Sequence, residues 1–313
     1  MTRKHQRGVA IITALLVVML AASIAAFLLA QQSQALTRTA RAGERAQAGL
    51  YAAPTLDWAR AALFQMQKKD PARVDLSQPW AQGINAIPID GAMASGTLRD
   101  DGGLFNLNNL VKTVAKSEPD IAVFRRLLKG LNLNPDLADA VVDWIDADDE
   151  PSGGGGAENS TYLALPQPYR AGNQNLQQVD ELRRIRGFDA ATVSRLTPFV
   201  TALPFRTEIN LNTAPQEVLA ALFSALADDE ITALAKRRLT SPFADKAKIK
   251  EYLKTVSPAI IDEMVDVKSQ FFSVYIAIGN AGAQVRQSAL LRRAPAEGVG
   301  AGKWPSIIWV RTD

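Results

Sequence analysis

Five acids fall within eight residues: Asp143, Asp146, Asp148, Asp149 and Glu150. They close an apolar helical stretch carrying Leu137, Val141, Val142 and Ile145, and the C-terminal end of a helix already bears partial negative charge. Stacking carboxylates there is unfavourable unless a cation compensates them. Oxygen ligands at alternate positions, Asp146, Asp148 and Glu150, suit a hard ion such as Ca²⁺ better than a transition metal. The loop is not an EF-hand, because Pro151 stands where that loop needs glycine. The run from Gly153 to Gly156 gives the chain freedom to fold Glu158 back onto the same ion. A solvated acidic loop has the same composition, so the residues alone leave both readings open.

A second stretch, Glu181-Leu182-Arg183-Arg184-Ile185-Arg186-Gly187, is followed by a helical pattern through Val193 and Leu196 to Val200. With Ile209-Asn210-Leu211-Asn212-Thr213-Ala214 it resembles helix-hairpin-helix modules, which hold DNA phosphates on the amides of glycine-rich hairpins. Those modules place a Gly-hydrophobic-Gly hairpin where this chain has Phe223-Ser224-Ala225-Leu226-Ala227-Asp228-Asp229. Without those glycines the backbone has no close approach to phosphate. A membrane-anchored DNA receptor is therefore the runner-up reading, and nucleic acid is not an expected partner.

Composition narrows the chemistry further. The chain has 313 residues, no cysteine, and one histidine, His5, which lies in a short basic leader from Met1 to Gly8. A form lacking the leader has neither His nor Cys, and so lacks the commonest general base, the thiol nucleophile and the usual zinc ligands. An enzymatic role is not expected. Loss of Arg3, Lys4 and Arg7 would also bring the 35 Lys and Arg down to match the 32 Asp and Glu, leaving no net field to attract a polyanion.

These residues are carried by three kinds of segment. From Val9 to Ala30 run 22 residues without a charge, roughly 33 Å as a helix and enough to cross a bilayer's hydrocarbon core. The leader is basic, and the next basic residues, Arg38 and Arg41, lie beyond a Gln31-Gln32-Ser33-Gln34 collar. The N-terminus is therefore expected in the cytoplasm and the bulk outside it. On this window alone the segment reads as a plain anchor, as a secretory signal cut near Ser23-Ile24-Ala25, or as a prepilin-type signal with Gly8 at the charge boundary. A broken apolar stripe through Leu36, Leu50, Leu56 and Leu63 continues the helix to about Lys69, with a kink expected at Pro54. Strands are expected at Ile84 to Ile89, Gly96 to Arg99, Phe271 to Ile278, Val285 to Leu291 and Ser306 to Arg311, with a turn at Asn280 and Gly282. About 160 residues of helical pattern separate the two sets, as if a helical domain were inserted into one α+β domain.

Leu104 to Leu110 is expected to open that long helical stretch. Phe105-Asn106-Leu107-Asn108 recurs as Ile209-Asn210-Leu211-Asn212, a weak echo for which turn and cap chemistry is the plain account. Thr213 and Gln216 read as a capping box. Further helix starts are marked at Asn134-Pro135, Asp228-Asp229-Glu230 and Ser257-Pro258.

Taken together, the Gly8-Val9 junction, Gly103-Leu104-Phe105-Asn106-Leu107-Asn108, Val142-Asp143-Trp144-Ile145-Asp146, Tyr169-Arg170, Glu181 to Gly187 and Ile209 to Pro215 resemble the general secretion pathway protein K family, minor pseudopilins of bacterial type II secretion. The resemblance implies an α+β, type IV pilin-like fold with a large all-α domain inserted between strands. Its expected parts are a leader (1–8), a transmembrane or pilus-core helix (9–30), a first pilin portion (31–105), the inserted domain (106–267) and C-terminal strands (268–313). It implies cleavage after Gly8 by prepilin peptidase and N-methylation of Val9. Thr13, fifth from Val9, stands where most pilins carry a glutamate that pairs with the terminal ammonium of the preceding subunit, so the chain belongs at a pseudopilus tip. It also implies calcium in the inserted domain, carried here to Asp146, Asp148, Glu150 and Glu158. The implied partners are the I- and J-type minor pseudopilins, then the H type, the major pseudopilin, the inner membrane and secreted substrates.

Overall fold

The structure, a computed structural model, describes residues 3–89, 92–112, 115–279, 284–295 and 302–312. A single helix, α1 (Arg3–Lys69), runs for 67 residues. Good helix formers dominate it, and it stops where Lys68 and Lys69 meet the negative end of the dipole ahead of Pro71. Pro54 does not break it. The carbonyl that a proline strands belongs here to Leu50, an exposed position that water can serve.

The two ends of α1 live in different surroundings. From Ile11 to Leu29 its large apolar side chains are all exposed. Farther on, Leu56, Ala59, Leu63 and Met66 form a buried stripe at helical spacing. That stripe packs on a sheet whose strands are β1 (Ile84–Ile89), β2 (Ala92–Asp100) and, from the far end of the chain, β9 (Phe271–Gly279), β10 (Gln284–Arg292) and β11 (Ser306–Thr312). The strand order is β1-β2-β9-β10-β11, antiparallel throughout. Phe272, Val274, Ile276 and Ile278 alternate along β9, which places one face of the strand on α1. The expected turn at Asn280 and Gly282 lies outside the described residues.

Between β2 and β9 the chain leaves the sheet and builds a helical lobe. In order it holds β3 (Phe105–Asn106), β4 (Val111–Lys112), β5 (Ala115–Lys116), α2 (Glu118–Gly130), α3 (Leu137–Ile145), α4 (Asn159–Leu163), α5 (Ala190–Leu196), β6 (Val200–Thr201), β7 (Ile209–Asn210), α6 (Gln216–Leu222), α7 (Asp228–Thr240), α8 (Lys246–Tyr252), α9 (Pro258–Met264) and β8 (Val265–Asp266). Its core is one cluster drawn from Phe105 through Val267, separate from the cluster under α1.

One local expectation is sharpened and one is corrected. Leu104 to Leu110 opens the helical lobe without being helical itself: β3 pairs in parallel with β6, Leu107–Leu110 is a 3₁₀ turn, and α2 begins only at Glu118. Asn106 is the cause, because its Oδ1 accepts from Asn108 N and from Leu203 N and so diverts the backbone into an Asx turn. The echo repeats this device: Asn210 Oδ1 accepts from Asn212 N, at the end of a β7 strand paired in parallel with β8. Thr213 and Gln216 form no capping box. The Thr213 hydroxyl donates 2.6 Å to Asp100 Oδ2, Gln216 reaches Thr232, and Pro215 occupies the N-cap of α6.

Candidate metal centre

All nine residues of α3 are buried, including two acids, so that helix sits inside its lobe rather than on it. Asp139, Asp143 and Asp146 follow at spacings of four and three, which puts them on one face. Asp139 is paired with Arg125 and accepts from Gly155 N. Asp143 is gripped by backbone: Ser152 N donates to Oδ1 at 2.9 Å and Ala157 N to Oδ2 at 2.7 Å. Asp146 ends the helix in extended conformation, where the chain turns away.

The loop that follows returns because glycine lets it. Gly153 holds φ +53°, and a Cβ on Gly156 would stand 2.5 Å from Asp143 Oδ2 and from the Ser152 carbonyl. Gly156→Ala is therefore expected to push the loop off Asp143 and to destabilise the protein by about 1–3 kcal/mol, read by urea denaturation. The return delivers Glu158, 1 % exposed, as the N-cap residue of α4, yet its carboxylate makes no capping bond. Instead one oxygen each from Asp143, Asp146 and Glu158 lie within 4.8 Å of one another. Both Glu158 oxygens and both Asp146 oxygens are buried without a hydrogen-bond partner. The nearest cation is Lys116, whose Nζ forms an ion pair with Asp146 Oδ2 at 3.3 Å.

Burial, reinforced by Asp143 and Asp146, pushes the Glu158 carboxyl up to about 7. Burial likewise raises Asp146, against the pull of Lys116. Oxygen-only donors, net negative charge and unpartnered buried carboxylates fit a hard divalent cation, with carbonyls and water to complete its shell.

Of the four ligands expected from sequence, the fold brings Asp146 and Glu158 together. Asp148 and Glu150 stay exposed outside the group, where Asp148 Oδ1 accepts from Glu150 N in a local turn. Asp143 takes their place; the spacing that marks it is helical, three residues before Asp146.

The other singled-out residues lie far from this centre. Gly8, Val9 and Thr13 are in α1, and Ile11–Ala40 is the one stretch among the described residues long and apolar enough to span a membrane. At the hairpin position of the DNA-binding resemblance, three amides are used within the chain: Phe223 N bonds Leu219 O, Leu226 N bonds Phe223 O, and Ala227 N bonds Glu230 Oε2.

Two family models, both described as type II secretion system protein K, match residues 103–205 and 209–268. Fold and matched regions define the class: a minor pseudopilin of bacterial type II secretion, with an N-terminal helix long and apolar enough to span a membrane. Similar proteins include type II secretion system protein K of Pectobacterium carotovorum, 34 % identical over 92 % of this chain and 93 % of the relative. That of Pseudomonas aeruginosa is 38 % identical over 71 % of this chain and 69 % of the relative. A chain in the crystal structure of the GspK-GspI-GspJ complex from enterotoxigenic Escherichia coli superposes with a TM-score of 0.76 at 29 % identity, over 88 % of this chain and 99 % of that one. The chain belongs to the type II secretion system protein K family.

Proposed function

We propose that this subunit is a non-enzymatic cap at the tip of the type II secretion pseudopilus, starting its assembly with the I- and J-type minor pseudopilins. The H-type and major pseudopilins then follow beneath it. The observation that carries the reading is the helical lobe set between β2 and β9, a bulk of folded chain that would obstruct stacking anywhere but at an end. Thr13 supports it, since a threonine offers no carboxylate to a neighbour's terminal ammonium in hydrocarbon, where either charge alone is costly. The long helix on a five-stranded antiparallel sheet supports a pilin-type fold. The solved relative, a GspK-GspI-GspJ complex, supports the choice of first partners.

In this reading the N-terminus is cytoplasmic, prepilin peptidase cuts after Gly8, and Val9 becomes the methylated first residue. The folded bulk lies in the periplasm and meets exported substrate at the tip. Calcium is the proposed ion of the acidic centre, held by Asp143, Asp146 and Glu158; bound there, it would neutralise Asp146 and Glu158, whose oxygens the fold leaves without a hydrogen-bond donor.

Intact mass spectrometry of the protein from a host with prepilin peptidase is expected to give an N-terminus at Val9 carrying one added methyl group. An N-terminus at Met1, or after Ala25, would remove the pilin reading. The tip position is tested by copurification: I- and J-type subunits should be retained in the absence of the major pseudopilin, and their loss would leave the chain without a place at the tip.

A further inference from the structure

Lys116 approaches the acidic centre from outside the acid-rich loop. It stands in β5, in a short hairpin where Val111 pairs with Lys116, and is placed by β4 rather than by α3. Its ammonium ion-pairs with Asp146 and donates to Ser152 Oγ, while Ser152 N donates to Asp143. One residue thus ties the cation to two of the three carboxylates. Three carboxylates and one ammonium leave two negative charges.

We infer that Lys116 is the charge-setting residue of the centre: it matches the site to a divalent ion and disfavours a trivalent one. The inference rests on the reading of Asp143, Asp146 and Glu158 as a cation site. Repulsion between the ammonium and a bound ion grows in proportion to the ion's charge, so it weighs half as much again on a trivalent ion as on a divalent one. A lysine that merely held Asp146 in position would act differently. Its removal would loosen a ligand and weaken every ion alike.

The experiment is a pair of titrations, Ca²⁺ by calorimetry and Tb³⁺ by luminescence excited through Trp144, the neighbour of Asp143, on the full chain in detergent. For Lys116→Met, affinity should rise about tenfold for Ca²⁺ and about thirtyfold for Tb³⁺, in the ratio that their charges set. Lys116→Arg, which keeps the charge, should stay within about twofold of the parent for both ions, as should Lys112→Met on the exposed side of the same hairpin. Equal changes for the two ions, weaker binding by Lys116→Met, or a rise on Lys116→Arg comparable to that on Lys116→Met would overturn the inference. A parent chain that binds neither ion would instead overturn the cation site itself. Should Lys116→Met fail to fold, Lys116→Gln carries the same prediction.

Discussion

Glu158→Gln is expected to shift the melting temperature upward without calcium and downward with it. In the ion-free protein at pH 8, Glu158 is a buried carboxylate with no donor, facing Asp143 and Asp146. Its carboxyl titrates near 4.5 when solvated and at about 7 in the fold, so the folded state holds the proton more tightly. The stability this contributes is full below the lower value and lost as pH rises through the higher one. The amide cannot ionise, and replacing the carboxylate should recover on the order of 1–3 kcal/mol at pH 8, a rise of several degrees. Near pH 4 the two proteins should melt alike. With calcium at about 1,000 times its Kd the parent gains about 4.1 kcal/mol, and the variant, lacking one anionic ligand, loses most of that, which exceeds what it recovers. Calorimetry at pH 8 in chelator and in calcium reads both arms. A Glu158→Gln protein that melts lower in chelator as well would show that the carboxylate has a partner in the fold, and the site would lose its main argument.

What sequence revealed of this centre follows from where its information lies. Glycine and acid content fixed the neighbourhood: a Gly153 to Gly156 return onto Glu158 is what the fold builds. The alternation Asp146, Asp148, Glu150 presumed an extended ligand loop. In the fold only Asp146 of that set is buried, because it caps α3, and the next acids follow the chain outward into solvent. Asp143 belongs to the helix, and helical spacing joins it to Asp146; burial of the whole of α3, which sequence does not report, makes that face internal. The sheet was legible for a simpler reason. Period-two alternation in Phe271 to Ile278 needs only one buried face to be unambiguous, and α1 supplies it. The short segments at Phe105 and Ile209 were legible as asparagine turns but not as paired strands, since only the distant partners Val200 and Val265 decide the pairing.

Asp100→Ala should be the most damaging single change outside the apolar cores, because Asp100 joins the two lobes. It ends β2, is 4 % exposed, and its Oδ2 accepts from Thr213 Oγ1 at 2.6 Å, Ser269 Oγ at 2.7 Å and Asn210 Nδ2 at 2.9 Å, with Gly102 N on Oδ1. Burial pushes its pKa up while these four donors pull it down. Asn210 also donates to the Val74 carbonyl, just beyond α1, so the helical lobe is tied to both halves of the sheet lobe. Alanine would strand several buried donors at once, and a loss of about 3–5 kcal/mol follows from the cost of unpaired buried groups. Asp100→Asn should lose less but still measurably, since an amide presents donors to donors on one side. Because the contacts cross between separate cores, the loss should appear as decoupling: urea denaturation followed by Trp80 in the sheet lobe and Trp144 in the helical lobe should separate into two transitions where the parent shows one. A single transition shifted by under about 1 kcal/mol would mean that apolar contact, not this carboxylate, couples the lobes. The coupling matters mechanically, since Asp100 and Asn210 link the helical lobe both to β2 and to the segment that follows α1.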